Sequence, residues 1–399
     1  MSPRLNLATR LATLHASLSA VGGIQTPLWP LFLAWRGLTP VQIGVMLSAA
    51  YIVKIVSNPI AGHIADRLGE RRLPLMVLSV VAMAAYMPFL FVGGFWPLLI
   101  LTLIAAGAFT ALTPLGDSLT LLAISSHRLH YGHVRVSGSL AFMVFSGLSS
   151  YLLIGQPPIL IAYTLLAGIA FAVFACYRLP RIKGDRSAGP PRAIGILLRN
   201  PVFLLFLAVA TLNQSSNTAL YGFATLHWNA NGVSSGAIGG LWAEMVAAEA
   251  VFFIFGHRIA AAIGPRWLLI ISAIGGMMRW TICGLTTDPI ALAAVQWMHC
   301  LTFTATHLGA MYFIQKSIPI EMSGRAQAIY SSVASGLNFG LFLPIAGLFY
   351  EHLGGGDTFL LMTGVSACGL GLGIVLLKTW KGQPIFAPNV AATPNPDPV

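Results

Sequence analysis

The chain has 399 residues, 56% of them hydrophobic and only 8% charged, with a formal charge of +11 and a mean hydropathy of +0.80. So apolar a composition excludes an ordinary water-soluble domain. The surplus Lys and Arg sit between apolar runs and build no basic domain, which argues against a nucleic-acid partner and for the charge asymmetry of loops flanking membrane helices.

Apolar runs of about 20 residues, the length a membrane helix needs, recur along the whole chain. They read as spans at about 11–35, 40–61, 73–93, 97–125, 133–154, 157–178, 200–227, 234–256, 266–286, 289–316, 323–350 and 357–377. The first follows Arg4 and Arg10 as a signal peptide would, but it runs unbroken to Ala34 without a small-x-small cleavage site and is a transmembrane helix. The second holds Lys54 and leads into Gly62–Arg72 (GHIADRLGERR), a charge-dense loop. The fourth carries Asp117. After the sixth comes the longest connection, Leu179–Arg199, with Gly189-Pro190-Pro191 and the basic residues Arg181, Lys183, Arg186, Arg192 and Arg199. It divides the chain into an N-terminal half (1–178), a cytoplasmic linker (179–199) and a C-terminal half (200–378). The seventh span carries Asn213, Gln214 and Asn217, the eighth Glu244 and Glu249, the ninth Arg279, and the tenth His299 and His307. Residues 379–399 are rich in Pro and Asn and are expected to form a disordered cytoplasmic tail. The four cysteines, Cys176, Cys283, Cys300 and Cys368, lie in apolar runs with no CxxC spacing, so neither a disulfide framework nor a metal site is indicated.

With both termini in the cytoplasm, 19 of the 22 Lys and Arg face that side and Arg36 alone falls in an outer loop. This fixes the expected orientation. The halves also repeat: Ile43-Gly44 returns as Ile238-Gly239, Gly62-His63 as Gly256-His257 and Gly132 as Gly324, at a near-constant offset of 192–195 residues. The expected fold class is therefore an all-α polytopic membrane protein, twelve transmembrane helices in two pseudo-symmetric six-helix halves.

The loop after the second span resembles the major facilitator superfamily motif G-x-x-x-D-[RK]-x-G-x-[RK]-[RK], matched by Gly62, Asp66, Arg67, Gly69, Arg71 and Arg72. The resemblance spans roughly 11–378. Within that superfamily, Tyr131–Ser139, Leu241-Trp242 with Ala248-Glu249, Arg279-Trp280, and Val295–Cys300 with Thr302–Thr304 and His307-Leu308 are similar to the phenylpropionate-permease-like branch. Two positions depart from it: Glu244 is a charge where relatives are apolar, and Lys54 stands where they tend to carry Arg. The resemblance implies an alternating-access transporter, with the motif loop as a cytoplasmic gate and Glu249 as the functional acid. Asp66 is expected to lie against a helix N-terminus or a basic residue of the opposite half near Ser323–Arg325, holding that side shut.

Lys54, Asp117, Glu244, Glu249 and Arg279 sit well inside spans. Left in lipid, five such charges would cost about 12–17 kcal/mol, which a marginally stable fold cannot carry. They either pin helices together as static pairs or line a substrate and ion pathway. Arg279 and Glu244 lie 13 and 12 residues from the cytoplasmic ends of neighbouring spans, so depth favours Glu244 as the partner of Arg279, with Glu249 turned to the cavity. Three acids against two bases leave one carboxyl over as a proton carrier, for which Asp117 and Glu249 are the candidates. Lys54 can hold a substrate carboxylate. His299 and His307 are either hydrogen-bonded structural residues or a proton relay and substrate contact. Gln25, Asn213 and Gln214 bind substrate or bond helix to helix. Trp29, Trp242 and Trp297 are ring-stacking platforms or interface anchors.

The function expected is proton-coupled import of a small organic anion, such as a phenylpropionate-like aromatic acid, through the bacterial inner membrane. The protein would be a monomer driven by the proton gradient, with no cofactor and no enzyme activity. The substrate set is Gln25, Lys54, Asn213, Gln214, Glu249, Arg279, His299 and His307, and the proton set Asp117, Glu249 and His299. A drug or metabolite exporter and a symporter of a neutral sugar or nucleoside are the alternatives; the absence of Gly-Pro from the fifth span counts against the exporter. No phosphate-cradling Gly-rich loop is present to support ATP-driven transport.

Overall fold

A computed structural model describes residues 3–127, 131–182 and 194–386. Among these the chain is helical throughout, without a strand: α1 (Pro3–Trp35), α2 (Pro40–Leu68), α3 (Arg72–Tyr86), α4 (Phe95–Thr110), α5 (Leu112–His127), α6 (Tyr131–Leu153), α7 (Ile159–Tyr177), the single turn α8 (Ile194–Leu197), α9 (Pro201–Ser215), α10 (Thr218–Ala230), α11 (Ser235–Ile263), α12 (Pro265–Leu285), α13 (Pro289–Gln296), α14 (Thr306–Ser317), α15 (Ile320–Ser332), α16 (Asn338–Leu353) and α17 (Gly355–Thr379). Two π-helical stretches, Cys300–Ala305 and Val333–Leu337, join α13 to α14 and α15 to α16. Lys183, Arg186 and Arg192 of the linker, and the tail from residue 387, lie outside the described residues.

Nine helical stretches are long and apolar enough to cross a membrane among the described residues. The three expected spans outside that set have identifiable features. The helix α1 is long enough but carries His15, Ser17, Ser19, Gln25 and Thr26 in its apolar stretch. The span expected at 200–227 is broken between α9 and α10, because its polar run turns side chains onto its own backbone. Ser216 Oγ donates to Asn213 O (2.8 Å), Thr218 Oγ1 to Ser215 O (2.6 Å) and Asn217 Nδ2 to Asn213 O (3.3 Å), in competition with the helical ladder. The tenth expected span is interrupted by the π stretch at Cys300. The fourth, 97–125, bends between α4 and α5, where Pro114 offers no N–H to the carbonyl of Thr110.

Helices α1–α7 form one group. In it α1 lies along α6 and α7, α2 along α4, and α3 along α4 and α7; in the second group α17 lies along α9 and α12. The seam between the groups is uneven. On the first group's side it is made by α1, α2 and α6; on the other side by α10, α11, α16 and the Val333–Leu337 stretch, whereas α9, α14 and α15 have no substantial contact across it. The touching segments are those nearest the face that carries Gly37, Gly155, Gly232 and Gly354. There the backbones nearly meet: a Cβ on Gly44 would lie 2.5 Å from the carbonyl oxygen of Leu343, and one on Gly239 2.5 Å from that of Gly147. Ser48 Oγ donates to Gly340 O (2.5 Å), and Val41 N to Glu351 Oε2 (3.1 Å).

The opposite, terminal face is stitched within each group. Arg10 Nη1 donates to Arg178 O (3.1 Å) and Arg72 Nη2 to Tyr177 O (2.9 Å). In the second group Arg266 Nη1 donates to Trp380 O (2.8 Å), and Ile385 N to Ser317 O (2.9 Å). The start of the tail, expected to be disordered, is thus held down: Trp380 is fully buried, its ring 4.5 Å from that of Phe313.

Gly44→Val should therefore wedge the seam open. Overpacking by about 1–3 kcal/mol shifts a two-state equilibrium roughly 5- to 150-fold. The expected result is faster alkylation, by a membrane-impermeant maleimide, of a cysteine introduced at Leu343. An unchanged labelling rate would show that the seam has room to spare.

Candidate functional site

A cavity in two lobes lies between the groups, and Tyr221 of α10 stands in the wall of both. The first lobe, about 210 Å³, is lined by Gln25, Tyr51, Lys54, Tyr86 and Phe109, with Leu343 closing it from the second group. Lys54 Nζ stands 4.5 Å over the Tyr51 ring and donates to Ser335 O (2.8 Å) in the π stretch. Gln25 Nε2 donates to Tyr86 Oη (2.8 Å). Tyr51 stacks on Phe339 (4.7 Å between centroids), which meets Tyr221 edge-on at 5.7 Å. Among the described residues this lobe is aromatic, with one cation and no acid in its wall.

The second lobe, about 470 Å³, has the opposite character: Glu249, His299 and His307 line it with Ser19, Ser139 and Phe253, and among the described residues neither Lys nor Arg is in its wall. Glu249 Oε2 lies 3.8 Å from His299 Nε2. Behind His299, Arg279 is completely buried. Its Nη1 donates to His299 Nδ1 (3.0 Å) and Thr302 Oγ1 (2.9 Å), its Nη2 to Gln296 Oε1, and its Cζ is 4.5 Å from the Trp280 ring centroid. Thr302 Oγ1 in turn donates to Asn217 Oδ1 (3.2 Å) at the break between α9 and α10. A guanidinium has donors only, so His299 Nδ1 must accept and the imidazole proton sits on Nε2, facing the cavity.

Lys54 and Gln25 are thus brought to the first lobe, and Glu249, His299 and His307 to the second. Arg279 is in the wall of neither. The expected Glu244–Arg279 pair is not made: among the described residues no carboxylate is within ion-pair distance of Arg279, because it faces the α13–α14 rod and not α11. Asn213 and Gln214 are buried in the packing of α9, away from both lobes; Asn213 Nδ2 donates to Leu269 O (2.9 Å) and acts as a helix-to-helix bond. Asp117 Oδ1 lies 3.8 Å from His15 Nδ1, whose Nε2 is 2.9 Å from Thr120 Oγ1. This α1–α5 cluster is separate from the two lobes. Asp66 is not against Ser323–Arg325: it accepts from Arg71 Nη2 (2.5 Å) in its own loop, and Arg71 Nε donates to Ser118 Oγ (3.3 Å). Trp29 and Trp242 are buried in helix packing, and Trp297 is 50% exposed.

The sequence reading missed His15, Gln296, Tyr51, Tyr86, Tyr221 and Phe339. The first two are polar residues in apolar spans and could have been found by the rule that found Lys54 and Glu249. The rings carry no such signal, since aromatic residues are common in membrane helices whatever they face.

A sequence profile of the MFS_1 like family matches residues 9–361. The chain belongs to that family. It is 33% identical over 346 residues to a protein of Escherichia coli (strain K12) named a probable 3-phenylpropionic acid transporter, an alignment covering 84% of this chain and 89% of the relative. It is 24% identical to the maltose permease of Geobacillus stearothermophilus, over 86% and 87% of the two chains. Among solved structures, the nucleoside transporter NupG superposes with a TM-score of 0.85 at 15% identity, covering 94% of this chain and all of that one. A bacterial homologue of the lysosomal transporter Spinster gives 0.75 at 13% identity, over 95% and 98%. The chain is a multi-pass membrane transporter of the major facilitator type and not an enzyme, and its resemblance to the phenylpropionate-permease-like branch holds.

Arg279→Lys tests the buried network. An ammonium is a point charge that cannot reach Gln296, His299 and Thr302 in the fixed fork of a guanidinium. Transport is expected to fall at least about tenfold and the detergent-solubilised protein to melt several degrees lower, as unpaired buried polar groups at about 1–3 kcal/mol each would require. A variant with unaltered melting and uptake would remove the network from the account.

Proposed function

We propose that the chain imports a small organic anion, an aromatic monocarboxylate, together with a proton. It would work by alternating access between two pseudo-symmetric six-span halves of a monomer in the inner membrane, with both termini in the cytoplasm. The nine long apolar stretches, α1 and the two broken rods make the twelve spans of this reading.

The observation that carries it is Lys54. Among the described residues it is the single Lys or Arg in the wall of an aromatic lobe, and its ammonium rests on a ring face and a neutral carbonyl, with no carboxylate within ion-pair distance. A substrate carboxylate can replace Ser335 O as its acceptor with a charge-assisted bond, while the substrate ring lies among Tyr51, Tyr86 and Tyr221. The name of the 33%-identical relative, a probable 3-phenylpropionic acid transporter, agrees with such a cargo. Because Lys54 and Ser335 belong to different halves, that exchange would release one tie across the seam when substrate arrives. Glu249 beside His299 supplies the proton site, with Arg279 behind His299 fixing which nitrogen faces it. The Lys and Arg asymmetry makes the terminal face cytoplasmic, so the seam closed at Gly44 and Gly239 supports an inward-facing state. In that state Asp66 stays within its own half; the latch to Ser323–Arg325 would belong to the closed one.

The test is uptake of labelled 3-phenylpropionate into proteoliposomes with an imposed inward proton gradient, measured against protein-free vesicles that report passive entry of the neutral acid. Accumulation above that background should vanish when a protonophore collapses the gradient. Lys54→Met should weaken apparent affinity at least about tenfold, the loss of one bond to a charged group. Glu249→Gln should abolish accumulation while leaving exchange of internal for external substrate. Accumulation indifferent to the gradient removes symport, and a Lys54→Met variant with normal affinity removes the anion site.

A further inference from the structure

The geometry points to Glu351 as the outer latch of the transport cycle: a carboxylate of the second half that caps the N-terminus of α2 in the first half and holds the outer side shut. The inference rests on the preceding reading for which face is outer and extends it from the cavity to the gate.

The start of α2 leaves one backbone donor for another element to take. Pro40 occupies the first helical position and has no N–H. Thr39 and Gln42 form a capping box, in which Gln42 N donates to Thr39 Oγ1 (3.4 Å) and Thr39 N to Gln42 Oε1 (3.1 Å). Ile43 N already bonds Thr39 O (2.9 Å). The N–H of Val41 is the one that this local cap does not reach. It donates across the seam to Glu351 Oε2 (3.1 Å), and the Thr39 side chain hydrogen-bonds the same carboxylate. A carboxylate at that place meets the positive end of the helix dipole as well as a donor.

The backbones are shaped for this contact. One turn before Glu351, on the same face of α16, stands Gly347, where a Cβ would lie 2.5 Å from Pro40 O and 3.1 Å from the Cα of Val41. Gly347 therefore lets α16 touch α2 at the residues that Glu351 caps. Three polar ties join α2 to the α15–α16 rod in reversed order: Val41 to Glu351, Ser48 to Gly340 and Lys54 to Ser335. The Lys54 tie ends at the first lobe, where substrate can take it over; the Glu351 tie ends in water. Because Glu351 is exposed, it gives up the Val41 N–H to water at small cost. The latch can thus be made and broken in every cycle, which a buried ion pair would resist.

The experiment compares Glu351→Ala with the parent chain in right-side-out membrane vesicles, both carrying a cysteine in place of Ser48, two turns further along α2 at the same seam. Removing the carboxylate should speed alkylation of that cysteine by a membrane-impermeant maleimide about two- to fivefold, the worth of a charge at an exposed helix N-terminus. Glu351→Gln, which keeps an acceptor oxygen and loses the charge, should fall between the two. Hydrogen exchange resolved to single residues gives a second readout. In Glu351→Ala the Val41 amide should exchange faster, while the Gln42 amide, capped by its own Thr39, stays as it was. Unchanged Val41 exchange overturns the cap. Faster Val41 exchange without faster labelling means a cap that holds nothing shut, and overturns the latch. Gln42→Ala is the control, because it removes one arm of the capping box and leaves the bond across the seam. Labelling as fast as in Glu351→Ala would mean that any fraying of α2 opens the seam, and would also overturn the latch. Faster labelling only in inverted vesicles, with the Val41 effect intact, would sink the orientation of the preceding reading and leave the latch on the opposite side of the membrane.

Discussion

Arg279 presents the problem around which the second group of helices is arranged. A guanidinium stays charged in any protein environment, and here it is fully buried in a membrane-embedded core with no carboxylate in reach among the described residues. Its charge is met by neutral acceptors, Gln296, His299 and Thr302, and by the face of Trp280. Three acceptors within one stretch of chain around a single guanidinium are hard to supply from a straight α-helix, whose residues 296, 299 and 302 would progressively turn away. The rod that supplies them is irregular at this level, turning π-helical at Cys300. Thr302 then uses its own proton on Asn217, at the break between α9 and α10. One buried charge therefore ties α12 to two irregular rods, and the irregularities that weaken those rods as continuous apolar spans are also where their polar groups find partners.

Irregularities of this kind divide two rods, α9–α10 and α15–α16, into a segment that touches the first group and one that has no substantial contact with it. Within the broken rods, α10 and α16 reach across the seam, while α9, α14 and α15 stay within their own group. The π stretch at Val333–Leu337 lies on that dividing line, and it is there that a backbone carbonyl, Ser335 O, accepts from Lys54 of the other group. At one face the seam is as tight as two backbones allow, since neither Gly44 nor Gly239 has space for a Cβ. Tight packing at one face and separate stitching at the other is an arrangement that rigid-body rocking can exchange, because packed interfaces have discrete arrangements and do not deform continuously.

What could be read from the residues follows from this. Hydropathy locates the rods, the loop Gly62–Arg72 locates the family, and intramembrane charge locates Lys54, Glu249 and His299, because each rests on chain length, solvent or the cost of burial, which are local. Partners were not legible. Depth along two ideal neighbouring helices placed Glu244 level with Arg279, but which neighbour a side chain faces depends on rotation about the helix axis, and Arg279 is turned toward the rod of Gln296 and Thr302. Asn213 and Gln214 failed for the same reason: they precede the break at Ser216–Asn217, and their segment keeps them in the packing between α9 and its neighbours. At the start of the tail one buried ring, Trp380, and the backbone bond of Ile385 to Ser317 hold the chain against the second group; the run of Pro and Asn beyond it lies outside the described residues.

The motif loop shows why a sequence signature can be specific without touching the cavity. Arg71 joins Asp66 at the end of α2 to Ser118 on α5, and Arg72 joins the start of α3 to the last turn of α7. Four helices of the first group are thus fastened at the face where the two groups have least contact with each other. A group lacking these ties would let its helix ends splay there individually, and a change at the cavity would dissipate in local motion. With them, the helix ends of the first group are held as one body at that face. The geometry of the loop serves that rigidity: Gly69 at φ 67° closes the end of α2 in a left-handed turn that a side chain would strain, and Arg71 comes back onto Asp66.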